Sequence, residues 1–336
     1  MSHSSIEIAP AAPLRRTTPL NGIGVLLVLI ALMALLPLVA SPYALLLMLP
    51  FIGYAIALFG FNLLFGNTGL LSFGHALFLG VGAYTAATLT SKLGILSFEI
   101  ILLISALLSA LISLVIGSLC VRYTKIFFGM LTLAFGMLFH SFLYKFYNIT
   151  GGDQGMRVLR PLLLGMEWRG GKTAFLIGPF YYYALCLFAL LSLAMWRITR
   201  SPFGLHLRAI RENAGKAAYV GVQIFRMRLA AFVISAVYGG IGGVILAVTT
   251  GLADPELAYW THSGNLVFMA VLGGSGTFAG PAIGALVFVL LQDFIMSVTQ
   301  YWRFVMGGVL VLLVIFMPQG LSGAVELLVN RRKGGR

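Results

Sequence analysis

Charge is what this chain has least of. Only 9% of its 336 residues are Asp, Glu, Lys or Arg, against about 25% in a soluble globular domain. Acids are the scarcer sign, nine against 22 bases, which leaves a formal net charge of +13. The two cysteines, Cys120 and Cys186, lie in apolar segments and provide neither a disulfide framework nor zinc-ligand spacing. The five histidines, His3, His75, His140, His206 and His262, are scattered, whereas metal ligation needs two or three at matched spacing. A phosphate-binding loop is missing as well. Gly171-Lys172-Thr173 resembles the end of one, but the glycine required five residues earlier is Met166. Gly274-x-Gly276 lacks the strand–turn–helix context of a dinucleotide site. No paired acid and base or metal set supports an enzyme. No soluble basic domain is present to bind nucleic acid, so the positive charge has another explanation.

What the chain has is apolar sequence: 60% of its residues are hydrophobic and the mean hydropathy is +1.00. The apolar segments are apolar on every face rather than alternating, which excludes a closed barrel and leaves helices as the spanning structure. The expected fold is all-α: a polytopic helical membrane protein of about ten transmembrane or half-spanning segments. A window of about 20 residues places them near 22–40, 43–65, 70–91, 97–121, 126–146, 174–196, 229–250, 264–274, 280–298 and 302–317. Segment 264–274 is too short to cross as one plain helix. Residues 1–21 form a polar tail with Arg15 and Arg16, residues 22–317 the transmembrane domain and 318–336 a basic tail. The run after Arg16 lacks a small-x-small cleavage site and reads as an anchoring first span rather than a signal peptide. Alternation from a cytoplasmic N-terminus puts 122–125, the loop 197–228 and the C-terminal tail inside, and the loop 147–173 outside. Fifteen of the 22 Lys and Arg then lie inside, as the distribution of bases in membrane proteins requires.

Two stretches are unlike ordinary spans. Gly66–Tyr84 carries glycines at 66, 69, 74, 80 and 82, and Gly273–Gly284 carries five glycines and Pro281. Paired Gly/Pro interruptions mark a translocation pathway in many transporters; close helix packing demands the same residues, and both readings stand. Candidate pathway residues are Ser72, His75 and Tyr84 in the first stretch and Gly273, Gly274, Gly276 and Thr277 in the second. His75 either lines a path or hydrogen-bonds neighbouring backbone. Asp293 is the one acid well inside a predicted span, with Glu99 near an outer end. So few intramembrane ionisable groups argue against proton or sodium coupling. The outer loop, with TGGDQG at 150–155 followed by Arg157, Arg160, Glu167, Arg169 and Lys172, is either a docking surface or a solvated connector.

The largest basic cluster is Arg197–Arg228, with seven Lys and Arg and one acid, Glu212. On a helix over 204–221, Leu207, Ile210, Ala214, Ala217, Ala218 and Gly221 share one arc, with Arg208, Arg211, Glu212 and Lys216 on the next. Pro202 and Gly204 mark its start and Gly221 its end. Ala and Gly grip a lipid surface weakly but allow close helix approach, which favours a protein partner over the membrane surface.

These stretches together resemble a known family. GNTGLLSFGHALFLGVGAYTAA (66–87), TGGDQGM (150–156), GLHLRAIRENAGKAAYVGV (204–222), RLAAFVISAVYGGIGGVILA (228–247), LVFMAVLGGSGTFAGPAIGA (266–285) and MPQGL (317–321) are similar to the LivM-type permease subunits of bacterial ABC importers for branched-chain amino acids. The resemblance implies a non-catalytic subunit of the bacterial inner membrane, and the distribution of bases puts both termini in the cytoplasm. It implies a second, LivH-like permease, two cytoplasmic ABC ATPases that hold the ATP and magnesium, and a periplasmic substrate-binding protein. No cofactor is expected on this chain. Related importers carry urea, amides or aromatic acids, and a self-sufficient carrier or channel is the reading from another class. The resemblance assigns ATPase coupling to the 204–221 segment, with Gly204, Arg208, Arg211, Glu212, Asn213, Ala217, Ala218 and Gly221 as the candidate contacts. The EAA-x3-G pattern of other ABC permeases is absent: Glu212 stands apart from Ala217-Ala218, and Gly221 follows Ala218 by three residues.

Overall fold

The computed structural model describes residues 20–168, 170–316 and 320–322. Apart from residues 20–21 and 320–322, the two expected tails, with Arg15, Arg16 and the C-terminal bases, lie outside the described residues, as does Arg169. In chain order the elements are α1 (Leu20–Leu35), α2 (Pro42–Asn62), α3 (Ala76–Ala87), α4 (Phe98–Cys120), α5 (Lys125–Lys145), the single turn α6 (Tyr147–Thr150) and β1 (Met156–Arg157). There follow the single turn α7 (Lys172–Phe175), α8 (Tyr181–Arg200), α9 (Pro202–Tyr219), α10 (Ile224–Thr250), β2 (Leu252–Ala253), α11 (Trp260–Gly273), α12 (Gly280–Val298) and α13 (Trp302–Phe316). Six helical runs among the described residues are long and apolar enough to cross a membrane: Pro42–Asn67, Phe98–Cys120, Lys125–Lys145, Lys172–Arg200, Ile224–Thr250 and Gly280–Val298. The expected span 70–91 is not one helix. Residues 69–74 are non-helical and α3 begins at Ala76, because Gly69 at φ +75° and Gly74 interrupt the ladder.

The centre of the bundle is α10. The apolar window of this helix is 83% buried, against 28% for α4 and for α5, so α10 is the core helix and α4 and α5 are peripheral. Its Gly239-Gly240-Ile241-Gly242-Gly243 run explains why. A Cβ on Gly82 of α3 would come within 3.0 Å of the Gly240 Cα, and one on Gly53 of α2 within 2.9 Å of Leu246. Membrane helices have little hydrophobic drive to associate, so close backbone contact supplies the attraction. α4 meets the same helix through Ser105, Ser109, Ser113 and Gly117, a buried stripe at every fourth residue, while Leu103, Leu107, Leu111 and Leu114 are exposed on its other side.

The connections gather at two ends. At one end α9 meets the α2–α3 and α11–α12 junctions. At the other, β1 and β2 pair antiparallel, Met156 with Ala253 and Arg157 with Leu252, and Lys92 Nζ donates to the Ile149 carbonyl at 2.7 Å. Glu99 belongs to this second end: its carboxylate accepts from the Ser97 and Tyr183 hydroxyls and the Leu164 N–H at 3.0–3.1 Å. Those bonds tie the long loop to the bundle, so Glu99 is a satisfied structural acid.

Candidate functional site

The basic segment folds as two helical pieces rather than one. Pro202 occupies the first turn after Ser201, and the helix runs to Glu212. Asn213 then leaves helical space at φ −157°, ψ 100°, and its Oδ1 accepts the Lys216 N–H at 2.9 Å. That is the geometry of a helix N-cap: the short amide satisfies a backbone donor and starts a second piece, residues 214–219. The end is a Schellman closure. Gly221 sits at φ +88°, its N–H donates to the Ala218 carbonyl at 2.9 Å, and the Val222 N–H donates to the Ala217 carbonyl at 3.1 Å. The single helical projection over 204–221 is therefore corrected. Gly204, Leu207, Ile210 and Ala217 are buried, Ala214 is half-buried, Ala218 is exposed, and Gly221 stands beyond the helix as its stop.

The two arginines do different work. Arg208 stays local, its Nη2 donating to the Thr199 carbonyl and its Nε to the Gly204 carbonyl, both at 3.3 Å. It thereby caps the C-terminal end of α8. Gly204 permits that turn, since a Cβ there would come within 2.8 Å of the Thr199 Cα. Arg211 reaches away from its own helix. Its guanidinium donates to the Gly66 carbonyl, and its Cγ lies 3.1 Å from where a Cβ on Gly69 would be. Arg211 thus joins α9 to the interruption between α2 and α3. Glu212 and Asn213 are exposed. The most exposed pair on the segment is Tyr219, 93% accessible, with Val220 at 79%. Neither was singled out from the sequence. Their signal was only an apolar pair directly before the terminating glycine.

The two glycine-rich stretches meet beside Arg211. α2 runs into a π-helical turn, Leu63–Asn67, before the non-helical residues 69–74. α11 ends at Gly273, Gly274 adopts φ +94°, and α12 resumes at Gly280 with Pro281 in its first turn. A Cβ on Gly66 would fall 2.5 Å from the Ser275 carbonyl oxygen. Between the junctions lies a cavity of about 180 Å³ lined by Asn62, Asn67, Thr199, Arg208, Ser275 and Thr277, with Gly276 on its wall. The Oδ1 of Asn62 is buried without a hydrogen-bond partner. Thr277 Oγ1 donates to Ser322 Oγ at 2.8 Å, and Ser322 Oγ donates to the Gly273 carbonyl at 2.5 Å. Gly273 and Gly274 are buried backbone of this turn.

Ser72, His75 and Tyr84 lie elsewhere, and none of them lines this cavity. All three are buried. The His75 ring packs edge-on to Phe61 and Phe78, each with centroids 5.3 Å away. Its Nε2 lies 3.0 Å from Ser235 Oγ and 3.3 Å from the Ser235 carbonyl, while Ser263 Oγ accepts the Ala76 N–H at 2.9 Å. The start of α3 is therefore fastened to α10 and α11. The hydroxyls of Ser72 and Tyr84 are buried and unpartnered.

A family profile described as "Branched-chain amino acid transport system / permease component" matches residues 43–314, a span that takes in both interrupted helices and α9. The chain belongs to that family. It is a membrane-embedded permease subunit of the ABC importer type. The high-affinity branched-chain amino acid transport system permease protein LivM of Escherichia coli K12 is 30% identical over 286 residues, covering 80% of this chain and 67% of that protein. LivH of Salmonella typhimurium is 24% identical over 82% of this chain and 92% of its own length. A probable LivM of Methanocaldococcus jannaschii is 26% identical over 80% and 90%. No solved structure matches the chain.

Proposed function

We propose that this permease forms, with a second LivH-like permease, the membrane path of an ATP-driven importer for branched-chain amino acids in a bacterial inner membrane. In this reading the α9 end faces the cytoplasm, where two separate ABC ATPases hold ATP and magnesium, and a periplasmic binding protein delivers substrate at the opposite end. The chain itself binds no cofactor and catalyses no reaction. The observation that carries the reading is the bond from Arg211 to the Gly66 carbonyl. It joins an exposed, basic helical segment directly to the interrupted helix beside a polar cavity. A displacement of α9 by a partner would therefore be delivered to the α2–α3 junction rather than dissipated in a loop. Tyr219 and Val220 form the projecting apolar knob that a partner cleft would receive, with the exposed Glu212 and Lys216 as polar groups beside it.

Arg211→Ala removes the connecting bond and leaves the helix itself intact. In the assembled importer, ATP hydrolysis should continue at about half the wild-type rate or better while amino-acid uptake falls by about tenfold or more, the loss of one charge-assisted hydrogen bond. Wild-type uptake by this variant, with normal membrane levels, would overturn the coupling role.

A further inference from the structure

On the end opposite α9 lies a cavity of about 400 Å³, within the rough 300–1,000 Å³ range of small-molecule sites. It opens between the start of α2, the end of α10, the loop after β2, and α12. Seven acids occur among the described residues, and three of them, Asp254, Glu256 and Asp293, line this one cavity, with no Lys or Arg on its wall. Asp293 accepts the Tyr43 hydroxyl at 2.5 Å and Asp254 accepts the Glu256 N–H at 2.8 Å. None of the three forms an ion pair among the described residues. Glu256 is exposed and Asp254 and Asp293 are half-buried, so a cationic guest entering the cavity meets carboxylates that no Lys or Arg of its wall neutralises.

The remaining wall says which cation. No group of three or more His, Cys, Asp or Glu among the described residues is close enough to hold a metal ion, so the carboxylates are spread for a larger guest. Apolar surface faces them from Leu47, Leu246, Leu257, Val289 and Met296. Donor groups stand beside it: the Gln292 amide, the Tyr54 hydroxyl, which makes no hydrogen bond among the described residues, and His262, whose Nδ1 is buried without a partner. Carboxylates for an ammonium, donors for a carboxylate and apolar surface for a side chain are what a zwitterionic aliphatic amino acid requires. A neutral guest such as urea has no use for three carboxylates.

We propose that this cavity is a recognition site for a primary ammonium group carried on an aliphatic chain, with Asp254 and Asp293 as its main anchors and Glu256 at the rim. As the site through which an amino-acid substrate enters the path, it rests on the importer reading above. The test uses the full chain in lipid nanodiscs and follows its melting temperature against three probes. L-leucine and 3-methylbutylamine carry the ammonium, and 4-methylpentanoate lacks it. The first two should give saturable stabilisation and the third none. Asp254→Asn with Asp293→Asn should move the midpoint concentration up by about tenfold or more, while Asp293→Glu alone stays within about threefold of wild type. The proposal is overturned by an absent amine response in the wild type, by an equal response to 4-methylpentanoate, by unchanged Asn-variant midpoints, or by equal losses in the Asn and Glu variants. Uptake by the assembled importer separates the two readings. Amine binding without any ATP-driven amino-acid uptake would sink the importer reading and keep the site. Uptake indifferent to the Asn substitutions would sink the site and keep the importer.

Discussion

His75 and Arg211 are both basic side chains on or beside the interrupted helix, and the structure gives them opposite employment. His75 is enclosed by Phe61 and Phe78 and bonded to Ser235, so its contribution is to packing where α3 meets α10. His75→Ala should lower stability by about 2–4 kcal/mol, the range of a buried large-to-small change with its cavity. Thermal unfolding in detergent would show the drop, while the KM for uptake in the folded fraction stays at the wild-type value. A raised KM with unchanged unfolding would instead put His75 in the path. From the sequence alone the two uses of His75 were indistinguishable, because a lone intramembrane histidine among glycines suits either. What separates them is Ser235, 160 residues away in the chain. The reach of Arg211 was hidden for the same reason: its charge was evident, but its acceptor is a backbone carbonyl, and carbonyls leave no mark in a sequence.

At the scale of elements, the helices were legible wherever apolar runs were long, and the interruptions wherever glycines clustered. The break inside α9 was not. Asn213 is only a moderately poor helix former, and its neighbours keep the helical spacing of apolar residues, so a continuous projection looked sound. The break matters because it sets the direction in which Tyr219 and Val220 project. Asn213→Ala removes the N-cap, at about 1 kcal/mol, and allows the two pieces to merge and rotate the knob away. Uptake should fall severalfold with membrane levels unchanged, and Asn213→Asp, which retains a capping oxygen, should restore most of it. Transport assays on the pair decide this. Equal uptake by the Ala and Asp variants at the wild-type level would show that the break has no functional consequence. Gly221, chosen from the sequence as a contact candidate, has a backbone reason for being glycine. At φ +88° it closes the segment, so a substitution there would disturb the knob through strain.

Across the whole molecule, charge is sorted by end. α9 and its flanks place seven bases and one acid at one end, and the other holds the cavity lined by Asp254, Glu256 and Asp293. α10 separates the two, and its buried glycine run leaves little freedom for the surrounding helices to slide past it. The sequence foretold the sorting, because counting bases needs no coordinates. It did not foretell the acid-lined cavity, whose walls come from residues 47 to 296. If bases collect on the cytoplasmic side, the α9 end faces inward, and that orientation can be checked without transport. In a background with Cys120→Ser and Cys186→Ser, a cysteine in place of Glu167, on the exposed loop opposite α9, should react with a membrane-impermeant maleimide in intact spheroplasts. A cysteine in place of Tyr219 should react only after permeabilisation. The reverse pattern would turn the molecule over, place the acidic cavity on the cytoplasmic side, and remove the basis for α9 as the point where ATPases push.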